Sequence, residues 1–245
     1  MMSDRPDTIG IVGGMGPEAT ADLFLKIIRA TPAKRDQDHI PVVIVSDPTV
    51  PDRTAAILGE GEDPLPVMSR SAEACIRAGA DFLVMPCNTA HCFHPGLCTN
   101  IDVPVLHMME EVTRYLREDH PEVGRVGLLA TTGTVTLGLY QQSLEEGGVE
   151  VLVPSDDDQA RVMDAIYGDK GVKAGYHDYA RAVFAALAKT LREGGADAII
   201  AGCTEIPLAL SSEDVEPALL IDPTDILARA AVARALKRRG EKDDA

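Results

Sequence analysis

No stretch of this chain is long and apolar enough to span a bilayer. Its first residues, MMSDRPDTIG, are polar and acidic and lack the apolar core of a secretory signal, so the expectation is a cytoplasmic protein with no membrane partner. Positive charge is scarce: 23 basic residues stand against 39 acidic ones, a net charge of −16. Such a chain repels polyanions, which sets nucleic acid aside as a partner. A small acidic substrate remains open, because salt screens distant charges over about 8 Å and a few local cations can still build an anion pocket. The five cysteines are an odd number in a chain of cytosolic character, which argues against a disulfide framework and for free thiols. Against these absences, 45% hydrophobic and 25% charged residues over 245 positions are enough to bury a globular core.

Short apolar runs alternate with amphipathic stretches along the whole length. TIGIVGG (8–14), PVVIVSD (41–47), DFLVMP (81–86) and VPVLHM (103–108) read as strands in the first half. RVGLLATT (125–132), VEVLVPS (149–155), DAIIAG (197–202) and ALLIDP (218–223) follow in the second. PEATADLFLKIIRA (17–30) predicts a helix that opens on Pro17 and carries Leu23, Phe24, Ile27 and Ile28 on one face. The C-terminal ARAAVARALKRRGEKDDA reads as an amphipathic helix with a charged, fraying end. Strands alternating with helices imply right-handed crossovers and parallel sheets flanked by helices, an α/β fold.

The chain is also written twice. GADFLVMPC (79–87) aligns without gaps to GADAIIAGC (195–203), an offset of 116. IGIVGGMG (9–16) aligns to VGLLATTG (126–133) at 117, and VLHM (105–108) to LIDP (220–223) at 115. Near-constant offsets at three places predict two similar lobes related by a pseudo-two-fold axis. Ligands of parallel α/β sheets bind beyond the carboxyl ends of the strands. Cys87 and Cys203 stand at such ends in equivalent places, so a cleft between the lobes would bring the two thiols together.

That pairing bears on PCNTAHCFHPGLC (86–98), where three cysteines and two histidines suggest either a metal cluster or one reactive thiol. The second lobe repeats only Cys87, so the reading is a thiol without metal; Cys75, Cys92 and Cys98 are taken as core or surface. His91, one helical turn after Cys87, could polarise that thiol or simply pack. Glu205, two residues after Cys203, could orient or deprotonate its thiol or cap a turn. His39, His94, His120 and His177 read as solvated or structural, and so do His107 and Asp222, which match in the repeat. GMGPEA (14–19) fits the dinucleotide pattern G-x-G-x-x-A, but Pro17 stiffens the turn and the second lobe has ATTG instead. The loop is read as a carboxylate cradle at a helix start.

Two thiols flanking a carbon suit two-base proton transfer. One, as thiolate, removes the proton α to a carboxylate, and the other delivers a proton to the opposite face. Preorganised donors and cations would hold the enediolate charge.

GIVGGMGPEAT (10–20), PDRT (51–54), PCNTAH (86–91), GVKAG (171–175) and GCTEIPL (202–208) together resemble the aspartate/glutamate racemase family, nearest its aspartate racemase branch. The resemblance runs in order over nearly the whole chain. It implies a cofactor-independent amino-acid racemase of two α/β domains, acting as a homodimer on aspartate, glutamate or several amino acids. It implies a first domain of residues 1–110 plus 209–245 and a second of 111–208. By position, Cys87 and Cys203 match the catalytic thiols, and Asn88, Thr89 and Thr204 the residues that hold the α-carboxylate. Arg53 and Lys173 match the cations for the side-chain carboxylate, with Lys170 a neighbouring candidate. Met15, Gly16 and Thr132 would line the pocket floor. GEGEDPLP (59–66), near Arg53, reads as a mobile loop and a candidate lid. Alternatives are a superfamily isomerase or decarboxylase acting on a dicarboxylate, and a binding protein that keeps the pocket without turnover.

Overall fold

Strands buried on both faces lose the polar alternation of a surface sheet, and the middle strands here are apolar apart from Arg125 at the start of one. The computed structural model describes residues 5–240. Its first half runs β1 (Ile9–Gly13), α1 (Pro17–Ala30), β2 (Val42–Ser46), α2 (Arg53–Ile57), α3 (Leu65–Arg77), β3 (Phe82–Val84), α4 (His94–Thr99) and α5 (Met108–Asp119). The second half runs β4 (Arg125–Ala130), α6 (Thr132–Thr136), α7 (Leu139–Glu145), β5 (Glu150–Leu152), α8 (Asp156–Tyr167), α9 (His177–Glu193), β6 (Ala198–Gly202), β7 (Leu219–Ile221) and α10 (Pro223–Gly240). All strand pairs are parallel, in two sheets of order β2-β1-β3 and β5-β4-β6-β7. Among the described residues no helix is long and apolar enough to cross a membrane.

The repeat holds at the level of register. Ile9 pairs with Phe82 in the first sheet as Val126 pairs with Ala198 in the second. Leu83 pairs with Val105 as Ile199 pairs with Leu220. The Gly-Ala-Asp turns match too. Gly79 and Gly195 both adopt φ +97°, a left-handed conformation that suits glycine. Asp81 accepts from the backbone N–H of Thr8 at 2.8 Å, and Asp197 from that of Arg125 at 2.9 Å, each carboxylate anchoring the start of the neighbouring central strand.

One strand is shorter than its sequence suggests. VPVLHM contributes only the single bridge at Val105, because Pro104 has no N–H for a ladder and His107 already caps α5, its Nδ1 accepting from the Glu110 N–H. Asp222, its mate in the repeat, caps α10 through the Thr224 N–H at 2.9 Å. Helix α1 begins at Pro17 and ends at Ala30, as its pattern predicts. α10 packs on α1 and α5, whereas β7 is paired with β6 in the second sheet. The charged end assigned to the last helix, residues 241–245, lies outside the described residues.

Alternate residues of each strand face different cores. Ile9, Ile11, Phe82 and Val84 join Val126, Leu128 and Ile200 in one cluster with residues of α1, α5, α7 and α10, so the two sheets share a core. Val12, Leu83 and Met85 face a second cluster, and Leu129, Ile199 and Ala201 a third. The shared core fixes the strand ends of one lobe against those of the other.

Candidate active site

Both cysteines stand just beyond their strands. Cys87 follows β3 through a turn in which its N–H bonds the Met85 carbonyl, and Asn88 opens the short 3₁₀ turn Thr89–Phe93. Cys203 follows β6, and its carbonyl accepts from the Ile206 N–H to start the 3₁₀ turn Ile206–Leu208. Each cysteine is only 6% exposed.

Their surroundings differ. Cys203 Sγ donates to Glu205 Oε2 at 3.0 Å, and Thr204 Oγ1 donates to the same oxygen at 3.2 Å. Glu205 Oε1 is paired with Lys173. Burial and then the Glu205 charge push the Cys203 thiol well above its ordinary range, so it is held protonated. Burial disfavours the Lys173 ammonium, but the Glu205 charge and hydrogen bond outweigh it and raise its pKa. Cys87 has Arg53 as its cationic neighbour. Arg53 is buried at the start of α2, its Nη1 donating to the carbonyls of Val50 and Pro51 at 3.2 and 3.0 Å, while its Nε has no hydrogen-bond partner among the described residues.

The loops after β1 and β4 cross to the opposite lobe. A Cβ on Gly16 would lie 3.2 Å from Glu205 Oε1 and 3.3 Å from Lys173 Nζ. A Cβ on Gly133, its mate in the repeat, would lie 3.1 Å from Thr54 Oγ1 and 3.2 Å from Thr89 Cγ2. The charged pair Lys173–Glu205 in one lobe is thus matched by the hydroxyls Thr54 and Thr89 in the other. Thr89 Oγ1 also meets Thr131 Oγ1 at 2.8 Å and Thr134 Oγ1 at 3.0 Å, a buried hydroxyl cluster across the lobes.

Most residues singled out from the sequence come together: Cys87, Asn88, Thr89, Arg53, Gly16, Lys173, Cys203, Thr204 and Glu205. Met15 is buried in the cluster that also holds Cys87. Lys173, not Lys170, pairs with Glu205. Thr132 is turned toward α8, its hydroxyl accepting from Gln159 Nε2 at 3.4 Å, and its neighbours Thr131 and Thr134 make the cross-lobe contact. His91 directs Nδ1 at the Cys87 carbonyl oxygen, 2.8 Å away, and not at the thiol. His91, His94 and His107 pack ring against ring. Among the described residues no group of three or more His, Cys, Asp or Glu is placed to hold a metal ion.

Sequence reasoning missed Thr54, Thr131, Thr134, Tyr140 and Tyr167. Tyr140 Oη donates to Asn88 Oδ1 at 2.5 Å. Tyr167 lies under the Lys173 ammonium, 5.3 Å from its ring centre, and its hydroxyl lies within electrostatic range of both cysteines. Lys173, whose side chain is 27% exposed, and Tyr167, 40% exposed, form the solvent side of a site whose sulfurs are nearly closed off. The aligned ATTG segment holds Thr131, with Thr134 just beyond it, and the PDRT motif holds Thr54. The tyrosines sit in ordinary helical patterns.

Two repeated parallel-sheet lobes, joined by a shared core and meeting at a buried polar site, define the class to which the sequence can now be assigned. The Asp/Glu/Hydantoin racemase family matches residues 12–231, and the chain belongs to that family. Within it, the protein is an amino-acid racemase of the Asp/Glu racemase type, an isomerase. It is similar to the aspartate racemase of Picrophilus torridus, with 30% identity, a TM-score of 0.82 and 94% of each chain covered. An aspartate racemase homologue from Pyrococcus horikoshii OT3 has 26% identity and a TM-score of 0.75, over 94% of this chain and all of that one. The broad specificity amino-acid racemase RacX of Bacillus subtilis is 29% identical over 92% of this chain and 96% of its own length.

Proposed function

We propose that this racemase interconverts L- and D-aspartate, with glutamate the next candidate, by two-base proton transfer at Cα, one of Cys87 and Cys203 removing a proton and the other delivering one, without metal or pyridoxal phosphate. The observation that carries the reading is the occurrence of a buried cysteine at the same strand end of each repeated lobe, with Arg53 beside one and Lys173–Glu205 beside the other. In one direction a thiolate takes the Cα proton and the C–H electron pair moves into the α-carboxylate. The opposite thiol then gives its S–H proton to the other face of Cα, and the two sulfurs have exchanged protonation states. Asn88, Thr89 and Thr204 supply donors for the α-carboxylate, and Arg53 supplies the cation for the side-chain carboxylate. Met15 and Gly16 form the walls, and Glu205 takes and returns the Cys203 proton between turnovers. The active form is a homodimer, an assignment that rests on family resemblance and is checked by sedimentation equilibrium.

A wider substrate range is the second reading. Lys173 is already neutralised by Glu205, which leaves Arg53, among the described residues, as the site's cation to favour an acidic side chain.

The deciding experiment follows exchange of the α-proton in D₂O from each enantiomer, with Cys87→Ser and Cys203→Ser. Because racemisation has an equilibrium constant of one, kcat/KM must stay equal in both directions in every variant. The informative result is therefore washout without inversion. Each single variant should exchange the α-proton of one enantiomer only, and opposite ones. Parent-like interconversion by both variants defeats the two-thiol reading, and activity lost to EDTA or hydroxylamine defeats the cofactor-free one.

A further inference from the structure

Tyr140 on α7 belongs to the second lobe, yet its hydroxyl ends on Asn88 of the first, 2.5 Å from Oδ1. The ring is fully buried in the shared core. Its mate in the repeat is Leu23, a plain core residue on α1. Packing alone therefore asks for a hydrocarbon at this position, and the buried polar tip needs another reason.

The tip determines which way the Asn88 amide points. Burial, followed by the charge of Asp222, pushes the Tyr140 phenol well above its ordinary range, so it carries its proton. That proton is given to Asn88 Oδ1. With the amide reversed, Nδ2 would face the hydroxyl and the buried O–H would lose its acceptor, a cost of about 1–3 kcal/mol. Nδ2 is therefore turned away from Tyr140. It is buried and has no hydrogen-bond partner among the described residues, and the same is true of Arg53 Nε beside Cys87 and Thr54 Oγ1 beside Gly133. Three buried polar groups without protein partners around one cysteine match a polar ligand, and two of them can only donate.

We propose that Tyr140 is a positioning residue that locks the Asn88 amide with its N–H pair toward the substrate carboxylate. This inference rests on the reading of Asn88 as a carboxylate ligand in the racemase. Tyr140 touches no reacting atom and acts only through Asn88.

The test combines Tyr140→Phe with Asn88→Ala in a double-mutant cycle, read as KM and kcat for aspartate, together with ¹⁵N–¹H spectra of the Asn88 side-chain amide. Tyr140→Phe keeps the packing and removes only the hydroxyl. It should shift or broaden the Asn88 amide signals, raise KM about tenfold and leave kcat within about threefold. In the Asn88→Ala background it should change neither constant. A KM within twofold of the parent, or an equal rise in the Asn88→Ala background, overturns the proposal. If the parent exchanges the α-proton of no amino acid, the racemisation reading fails. The Asn88 signals then decide on Tyr140 by themselves, and unshifted signals in Tyr140→Phe overturn it.

Discussion

The thiol of Cys203 donates to the carboxylate of Glu205, two residues further on, across 3.0 Å. The other Glu205 oxygen is held by Lys173, so the carboxylate is oriented and charged where the thiol needs an acceptor. The same anion opposes thiolate formation at Cys203, adding to the effect of burial. Glu205→Gln removes both influences. It should lower kcat by about 10²-fold, the scale of a lost acid–base partner. Alkylation of Cys203 by iodoacetamide, mapped by mass spectrometry, should become faster at fixed pH. Unchanged kcat would leave Glu205 with no part in proton transfer.

Arg53 should distinguish substrates by their side chains. Its Nη1 is spent on the Val50 and Pro51 carbonyls, and its Nε, without a partner among the described residues, is available to a ligand. Lysine keeps the charge but loses the planar fork that matches a carboxylate. Arg53→Lys should raise KM for aspartate tenfold or more and change KM for alanine much less. Equal changes for the two amino acids would remove Arg53 from side-chain recognition.

His91 ties acid stability to the Cys87 turn. Burial, followed by the neighbouring His107, lowers its pKa to about 3, so it is neutral in the fold. The unfolded chain binds a proton at His91 below about pH 6.5, while the folded one does not until about pH 3. Its contribution to stability is complete above about pH 6.5 and is lost at about 1.4 kcal/mol per pH unit as pH falls toward 3. In His91→Asn, whose amide can still reach the Cys87 carbonyl, the urea midpoint should depend less on pH between 7 and 5. An unaltered pH slope would contradict this account.

Two glycines should be equally intolerant of a methyl group. A Cβ on Gly10 would lie 2.5 Å from Leu83 Cδ2 and 2.8 Å from Ala80 Cβ. On Gly127, its mate in the repeat, it would lie 2.8 Å from Leu191 Cβ and 2.9 Å from Ile199 Cδ1. Each glycine lets a helix close on its central strand. Gly10→Ala and Gly127→Ala should each destabilise by about 1–3 kcal/mol in denaturant titrations, as overpacked cores do. Parent-like stability in either would mean that the helix can move aside at little cost.

Much of the site was legible in the chain because its main parts are local and repeated. Cys87 and Cys203 follow the same apolar strand after the same Gly-Ala-Asp turn, so one alignment finds both. Lys173 and Glu205 lie in separate segments, and their ion pair could not be read from spacing. Alignment points to Thr132 because it compares positions along the chain and not side-chain directions. The helix turn at α6 aims Thr131 and Thr134 at the other lobe. His91 stands one turn from Cys87 as expected, but the turn carries its ring to the carbonyl and away from the sulfur.

The sequence by itself determined two parallel α/β lobes, the helix that starts at Pro17, and the pair of cysteines, because these depend on short-range patterning written twice. The tertiary structure decided which groups surround each thiol. Tyr140 meets Asn88, Thr89 meets Thr131, and Gly16 faces Glu205 only because the shared core presses the strand ends of one lobe against the other. Contacts between segments forty or more residues apart leave no period in the chain, and they make the two halves of the site chemically unequal.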